Sequence, residues 1–434
     1  MNSRISATIV MALAVSALPG PSRVCAQGIH VSAVGPVNRS MGGAGTAAPL
    51  DSMGSLFWNP ASISGLGESE LSVGVAGVLP VLETESLIPG FGSGVTSAEP
   101  GVTPLPNVGW VHHDDESATS FGLGVFCAAG FRTNFPASTT NPVFLPQSNS
   151  PGIPGGLGRV YSQAGFLEII PTVSHQVTDN VSVGIGPTLT LGELIADPLV
   201  FAAPDDADGS GAPRYPAGRG SRTHWGGGLQ AGAYYADESG LHLGASVKSP
   251  QWMETFRYHS EDEIGLPTVG RIDMDLPMIV SLGAAWSGTD RFVVATDVRY
   301  FDYGNTDGFR LSGFNADGSV AGLGWKSVFS VATGVQYEAS RNLLVRLGYT
   351  FNQNPIPDAV SFFSVAAPLY YQHQLHAGAS WRLVGNVWLS AAYSYYLPSE
   401  ITGPIVTPLG AFPGSNVTNR ESVHIADFGI TVRY

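Results

Sequence analysis

The sequence predicts an all-β protein: a transmembrane antiparallel β-barrel of about 14 strands whose N-terminal segment plugs the lumen. Three observations lead to this prediction. Apolar positions alternate with small or polar ones along most of the chain, tight polar turns alternate with long loops, and only 12% of the residues are charged. A soluble globular domain carries about 25% charged residues. Strands that show one face to lipid and the other to a lumen explain all three observations.

The first 26 residues have the pattern of a secretory signal peptide. Arg4 lies near the start, an apolar run covers 5–18, and Val24-Cys25-Ala26 precedes the expected cleavage site. That run is too short for a spanning helix, and no later stretch is continuously apolar over about 18 residues. We therefore expect an exported chain. Its only remaining thiol is Cys127, which excludes an intramolecular disulfide.

Residues 27–65 are predicted to form a separate plug, or hatch. This segment does not alternate, and it contains the glycine-rich run 41–45 and the run Phe57-Trp58-Asn59-Pro60-Ala61. Because Pro60 biases Asn59 away from the helical region, a short helix through Gly54 to Trp58 should stop there. A piece of about 40 residues has little core of its own. We expect it to be ordered inside the barrel formed by residues 66–434.

The barrel prediction depends on strand alternation. From Val181 to Leu191 the odd positions are apolar and the even ones are Ser, Gly or Thr, although Pro187 predicts a bulge or an interrupted pairing there. The closing stretch 427–434 places Phe428 and Tyr434 on one face and Asp427 on the other, as in the terminal strands recognised by barrel-insertion machinery. A water-soluble sandwich is the alternative, but its loops are not usually sorted so regularly by length.

The connections alternate in length. Tight turns are expected near 114–117, 178–180, 237–240, 288–290, 339–342 and 385–386, and long loops near 80–106, 131–164, 195–222, 258–268, 304–324, 354–370 and 398–419. Short turns at one end and long loops at the other are typical of bacterial outer-membrane barrels.

Several function classes are disfavoured. A formal net charge of -14 argues against nucleic acid as a partner. The sequence has no phosphate-binding Gly-Lys-Ser/Thr loop and no Gly-x-Ser-x-Gly elbow, so it does not predict an enzyme. The run 112–116, His-His-Asp-Asp-Glu, could ligate a metal, but it is expected in a periplasmic turn and is interpreted as solvated charge. The acidic run 205–209 is interpreted in the same way because it lacks the terminal Glu of a calcium loop. No metal or other cofactor is predicted.

The run "RSMGGAGTAAPLDSMGSLFWNPASISGL", with its Trp-Asn-Pro-Ala signature, resembles the N-terminal hatch of FadL/TodX-type outer-membrane transporters. These carry long-chain fatty acids and other hydrophobic compounds. Further matches follow in order, among them "PNVGWVHH", "DVRYFDYG" and the terminal strand. The resemblance implies a 14-stranded barrel in a Gram-negative outer membrane, closed by a hatch whose motif is Phe57, Trp58, Asn59, Pro60 and Ala61.

The family also suggests that ligand leaves sideways, through a gap at a bent third strand. In this chain that strand is expected at Thr119–Gly130, where Gly122, Gly124 and Gly130 would weaken pairing. These three glycines are the predicted lateral gate.

Apolar side chains in the outer loops are the candidate ligand groove: Phe144, Leu199, Phe201, Phe362 and Phe363. The alternative is that these loops simply pack over the barrel mouth. Inside the lumen, alternation points Arg346, Arg299 and Arg382 inward together with Asp297 and Glu168. Inward charges usually brace a plug. Arg346 is nevertheless the candidate for pairing with a ligand carboxylate, because it is expected near Phe362 and Phe363.

The predicted function is passive, substrate-gated uptake of long-chain fatty acids or other hydrophobic compounds across the outer membrane. The alternatives are a general porin-like channel for polar solutes and a barrel lipase. Expected partners are a hydrophobic small molecule, outer-membrane lipid and the barrel-insertion machinery. The protein is expected to act as a monomer.

Overall fold

A computed structural model of the chain describes residues 28–114, 117–150, 155–218, 222–289 and 291–434. The predicted signal peptide, residues 1–26, lies outside the described residues. The strands are β1 (Glu70–Ile88), β2 (Gly92–Ser97), β3 (Thr103–His113), β4 (Thr119–Phe135), β5 (Val160–Thr178), β6 (Val181–Asp197), β7 (His224–Ala236), β8 (Leu241–Lys248), β9 (Trp252–Met253), β10 (Phe256–Glu261), β11 (Pro267–Ile272), β12 (Ile279–Thr289), β13 (Phe292–Phe301), β14 (Val328–Ser340), β15 (Leu343–Asn352), β16 (His373–Val384), β17 (Val387–Gly403), β18 (Val406–Thr407), β19 (Gly410–Ala411) and β20 (Asn416–Arg433).

These strands form a closed antiparallel barrel of 14 strands, as predicted. Each barrel strand pairs with its neighbours in chain order, and β1 closes the ring because it pairs with both β3 and β20. The strands β2 and β9 only extend the sheet locally, and β10–β11 and β18–β19 form separate hairpins. No helix of the described chain is long and apolar enough to cross a membrane.

The predicted alternation is confirmed on β6. Val183, Ile185 and Leu189 are exposed on the outer face, whereas Thr188 and Thr190 are buried on the inner one. The β5–β6 ladder breaks between the pairs Ile169–Leu189 and Val173–Ile185 and resumes in the same register. Pro187 lies in that break, so it causes an interrupted pairing and not a bulge.

The sorting of connections by length is also confirmed. Short turns join β5 to β6, β7 to β8 and β16 to β17 at one end of the barrel, and the long connections lie at the other end. The predicted loop at 80–106 is wrong in part, because β1 continues through Pro80 to Ile88 and β2 pairs back onto it. The barrel wall is therefore taller at β1 and β2 than the loop prediction allowed.

The hatch occupies the barrel lumen. It contains helix α1 (Gly35–Ser40), helix α2 (Ser52–Trp58) and a 3-10 helix over Pro60–Gly65. All residues of both α-helices are buried. Helix α2 ends at Trp58 because Asn59 is extended, as the following proline predicts. The side chain of Asp51 caps its N-terminus by accepting a hydrogen bond from the Gly54 amide.

Candidate functional site

The inner face of the barrel carries glycines where the hatch backbone touches the wall. A Cβ atom on Gly348 would lie 2.2 Å from the Gly42 backbone nitrogen, and one on Gly244 would lie 2.1 Å from the Thr46 carbonyl oxygen. Gly184 meets Pro60 and Ala61 in the same way. The small inner positions of the strands are therefore the seat of the hatch, not the lining of an open channel.

Buried charges fix the hatch to this seat. The Arg39 Nε donates to Asp427 Oδ2 on β20 over 2.9 Å, with both side chains almost fully buried. The Asp297 Oδ2 on β13 accepts from the amides of Gly45 and Thr46 at 2.8 and 2.9 Å. Such charge-assisted bonds are stronger than neutral ones, and breaking a buried pair leaves an uncompensated charge.

Arg299 and Lys248, which is paired with Glu168, also contact the hatch. The Arg299 guanidinium donates to the Gly43 carbonyl over 2.6 Å and lies 3.5 Å from the Trp58 ring centroid. The Lys248 Nζ donates to Glu168 Oε2 over 2.7 Å and lies 4.5 Å from the centre of the Phe57 ring. These inward charges brace the plug.

Two of the lumen predictions need correction. Arg346 is close to the short-turn end of β15, where it donates to Gln336 and Ser380 at 2.7 Å each. It is therefore at the opposite end of the strand from the loop with Phe362 and Phe363, and the premise of its ligand role was wrong. Arg382 is exposed near the same rim, with its guanidinium 5.3 Å from the Trp388 ring centre.

The hatch motif forms a compact joint. The Phe57 and Trp58 rings pack edge to face at 4.7 Å, and the Asn59 side chain donates to the Thr46 and Ala233 carbonyls while accepting from the Ala61 amide. Pro60 is the first residue of the 3-10 helix. From the wall, Gln230, Ser246 and Ser174 donate to the carbonyls of Phe57, Trp58 and Ala61. The motif therefore ties the end of α2 to three strands, β5, β7 and β8.

Among the titratable groups of the hatch, Asp51 and His30 have pKa values shifted mainly by burial. Burial raises the pKa of the Asp51 carboxyl to about 7, and the nearby Glu70 carboxylate adds to the rise. Burial also lowers the pKa of the His30 imidazole to about 3, with a further contribution from the Lys248 charge. The imidazole of His30 is therefore neutral at physiological pH.

An apolar cavity of about 550 Å³ lies at the long-loop end of the barrel. It is bounded by the outer ends of β4, β5 and β6, by the β10–β11 hairpin and by the long loops. Seven phenylalanines contribute to its lining: Phe91, Phe131, Phe201, Phe314, Phe362, Phe363 and Phe412. A concave, mainly apolar space of this size is the usual form of a small-molecule site.

The predicted groove residues divide between this cavity and its support. Phe201, Phe362 and Phe363 line the cavity. Phe144 is instead fully buried, with its ring stacked 4.8 Å from that of Phe135, and Leu199 packs against Gly270 of the β10–β11 hairpin. Phe144 and Leu199 therefore pack the loops over the barrel mouth, which was the alternative interpretation, and do not line the cavity.

Sequence reasoning missed other lining residues. Met274 and Leu323 come from connections that carry no concentrated apolar run, and Tyr258 comes from a strand of a hairpin outside the barrel. The only sequence signal was a general abundance of apolar side chains in segments expected to be exposed.

The third barrel strand, β4, is irregular at Ala128. Its register against β5 shifts between Cys127 and Ala129, which leaves Ala128 as the extra residue of a bulge. Pairing of β4 with β3 covers Ser120 to Phe126 only. The N-terminal strap of the hatch, residues 28–33, bonds to the bulge from inside: the Val31 amide donates to the Ala128 carbonyl and the Gly130 amide to the Ile29 carbonyl, each over 3.0 Å.

The predicted gate glycines have different surroundings. Gly122 and Gly124 lie in the regularly paired part of β4, and a Cβ on either would clash with a side chain, that of Leu56 or Phe126. They make room for packing and do not bend the strand. Gly130 is beside the bulge and contacts the strap.

An acidic group on the outer loops brings Asp206 and Asp208 together with Glu263. Arg214 already lies between two of them, with its Nη2 at 2.7 Å from Asp208 and its Nε at 2.5 Å from Glu263. The guanidinium supplies the positive charge here, and Glu263 was not predicted to belong to this group.

Fold and cavity together define the class of protein: a plugged transmembrane β-barrel with an apolar cavity at its long-loop mouth. Residues 20–433 match the family described as "Outer membrane protein transport protein (OMPP1/FadL/TodX)". The chain belongs to this family, and it is an outer-membrane barrel. The long-loop end is accordingly extracellular and the short-turn end periplasmic. No protein with a curated description matches the chain by sequence.

Solved structures share the fold. The toluene transporter TodX of P. putida is 16% identical, with a TM-score of 0.69 over 93% of this chain and 99% of that one. A FadL homologue of Pseudomonas aeruginosa is 15% identical, with a TM-score of 0.70 over 94% and 99%. The toluene transporter TbuX of Ralstonia pickettii is 18% identical, with a TM-score of 0.66 over 93% and 99%.

Proposed function

We propose that the protein takes up hydrophobic compounds passively, with ligand binding in the cavity and release through the wall at the β4 bulge. The observation that carries the proposal is the arrangement of three features along one path. An apolar cavity lies at the long-loop end, Ile29 of the strap belongs to the same buried cluster as the cavity residues Tyr258 and Met274, and the strap bonds to the bulge where the pairing of the barrel wall is interrupted.

The contacts of the strap suggest how release is gated. Besides β4, the strap is held by a hydrogen bond of 3.0 Å from the Tyr371 hydroxyl to the Gly28 carbonyl and by one of 2.8 Å between Ser32 and Tyr396. At its C-terminal end the Ala33 carbonyl accepts from Arg39 Nη2 over 2.9 Å, but the carboxylates that bond to the hatch do so from Arg39 onward. The strap is the part that can leave the bulge at low cost while the rest of the hatch keeps the lumen closed.

A general porin for polar solutes has less support. Hatch backbone rests directly on the inner wall at Gly184, Gly244 and Gly348, where a porin would have water. Wall polar groups such as Asp297, Gln230 and Ser246 bond to the hatch backbone. We also propose that the barrel acts as a monomer, that insertion machinery reads its terminal strand, and that it has no enzymatic activity.

The test is removal of the bulge. Deleting Ala128 restores a regular β4–β5 ladder, since Cys127 and Ala129 already pair with consecutive residues of β5. We expect uptake of the uncharged probe N-phenyl-1-naphthylamine by cells that produce the protein to fall by roughly tenfold or more, because the lateral exit closes. Probe binding by purified protein should be unchanged.

The matched control is Ala128→Gly, which keeps the extra residue and should keep most of the uptake. Equal uptake by the deletion variant and the wild type would refute the lateral route. Cells with the wild-type protein taking up no more probe than cells without it would refute the function itself.

A further inference from the structure

The charges of the side chains that line the cavity limit the class of ligand that it can bind. We infer that the cavity selects an uncharged hydrophobic compound, a hydrocarbon or an alcohol, and rejects the anion of a fatty acid. This inference rests on the proposed function and specifies its substrate. The observation behind it is that the lining contains one carboxylate, that of Asp197, and no Lys or Arg side chain among the described residues.

The cations inside the barrel are not available to a ligand. Among the described residues the buried ones are Arg39, Lys248, Arg299 and Arg346. Each is bonded to a wall side chain or to the hatch as described above, and none lines the cavity. Arg39 Nη1 and Arg299 Nε and Nη1 have no protein partner in the described part of the chain, but they are fully buried between hatch and wall, so an anion in the cavity does not reach them.

Three arginines lie beside the cavity, next to lining residues, but none of them is part of the lining. Arg159 and Arg132 both lie over the ring of Tyr161, at 5.1 and 5.9 Å from its centre. The Arg159 Nε donates to the Asn134 side chain over 3.1 Å, and its Nη1 lies 3.9 Å from Asp197. Arg214, next to the lining residue Pro213, is paired with two carboxylates.

A carboxylate ligand therefore meets an apolar wall whose described residues offer it no cation, and the one charged side chain among them, Asp197, is itself a carboxylate. Moving an ionised group from water into such surroundings without a partner is strongly unfavourable. The polar groups that do line the space suit a neutral donor. Asp197 accepts from the Gly218 amide over 3.2 Å, and Gln163 accepts from the Tyr161 hydroxyl over 2.8 Å. Both carbonyl-type acceptors have further lone pairs for a ligand hydroxyl.

The volume of the cavity sets an upper size. An apolar cavity of about 150 Å³ binds benzene, so a space of about 550 Å³ holds roughly 20 non-hydrogen atoms by simple scaling. The ligand can thus be a long alkyl chain or several fused rings. The size of the cavity does not exclude a long-chain fatty acid. The negative charge of its carboxylate is what distinguishes it from a neutral ligand.

The experiment compares two ligands that differ in one group: dodecan-1-ol and dodecanoate, titrated calorimetrically at pH 9 into the full-length protein held in amphipol. We expect dodecan-1-ol to bind at least roughly tenfold more tightly, because only dodecanoate brings an unpaired charge. Equal or tighter binding of dodecanoate overturns the inference while leaving the proposed function intact. Binding of neither ligand overturns both.

Two variants of the lining residue Phe201 make the test specific. Phe201→Lys adds a cation to the lining and should raise the affinity for dodecanoate by roughly tenfold or more, with little change for the alcohol. Phe201→Met loses the same ring without adding a charge, so it should still bind the alcohol and reject dodecanoate. Retained binding of dodecan-1-ol shows that each variant is folded. A Lys variant that binds the alcohol normally and still rejects dodecanoate as the wild type does would contradict the charge argument.

Discussion

Replacing Arg39 by alanine is expected to loosen the hatch more than any other single side-chain truncation. The change leaves Asp427 buried without its partner, and it also removes the bond from Arg39 Nη2 to the Ala33 carbonyl. Loss of one member of a buried pair costs about 3–5 kcal/mol. We expect faster hydrogen exchange in α1 and frequent channel openings in planar bilayers.

The control for this prediction is Arg420→Ala. Arg420 contacts Glu83, Glu85 and Glu400 on the outside of the barrel, but all four side chains are substantially exposed. Exposed pairs contribute at most about 1 kcal/mol each. Arg420→Ala should therefore leave the hatch closed. If the two variants show equal hydrogen exchange in α1 and equal channel opening, the buried pair between Arg39 and Asp427 does not hold the hatch.

Adding a single methyl group to the hatch seat should have a comparable effect. In Gly348→Ala the new Cβ would lie 2.2 Å from the Gly42 backbone nitrogen, which is much shorter than a non-bonded contact between two heavy atoms. The obstacle is backbone on both sides, so no rotamer change relieves it. We expect displacement of the segment around Gly42 and a loss of about 1–3 kcal/mol, the usual cost of overpacking.

Gly165→Ala on β5 is the matched variant, because a Cβ there meets nothing within 4 Å. Thermal unfolding and the exchange rates of residues 40–46 would compare the two proteins. Equal stability and equal exchange would mean that the inner glycines are not the seat of the hatch.

Much of the fold follows from local chemistry. A period of two along each strand assigns lipid-facing and lumen-facing side chains without knowledge of the neighbouring strand, as β6 and the terminal strand demonstrate. The hatch was predictable because it breaks that period and because Pro60 ends its second helix. Helix α1 was not, since its six residues include Gly35, Asn38 and Ser40, which do not favour helices. Burial against the barrel stabilises it instead.

The site was harder to predict than the fold. Alternation shows that Arg299 and Arg346 point inward, but the partner of each depends on how the hatch is seated against the wall. That seating joins residues about 200 to 300 positions apart, such as Thr46 with Gly244 and Gly42 with Gly348. The cavity likewise combines loops whose approach no local pattern encodes, which explains why Phe144 was expected in it and Tyr258 was not.

The central claim is that a barrel otherwise wide enough to conduct is closed by its own leading segment. Single-channel recording in planar bilayers, on the intact protein and on a variant lacking residues 27–65, tests this most directly. Barrels of this type have polar interiors that conduct when they are empty. We predict a nearly silent intact protein and a steady ionic current after the deletion. A large steady current through the intact protein, or a correctly inserted deletion variant that stays silent, would contradict the account.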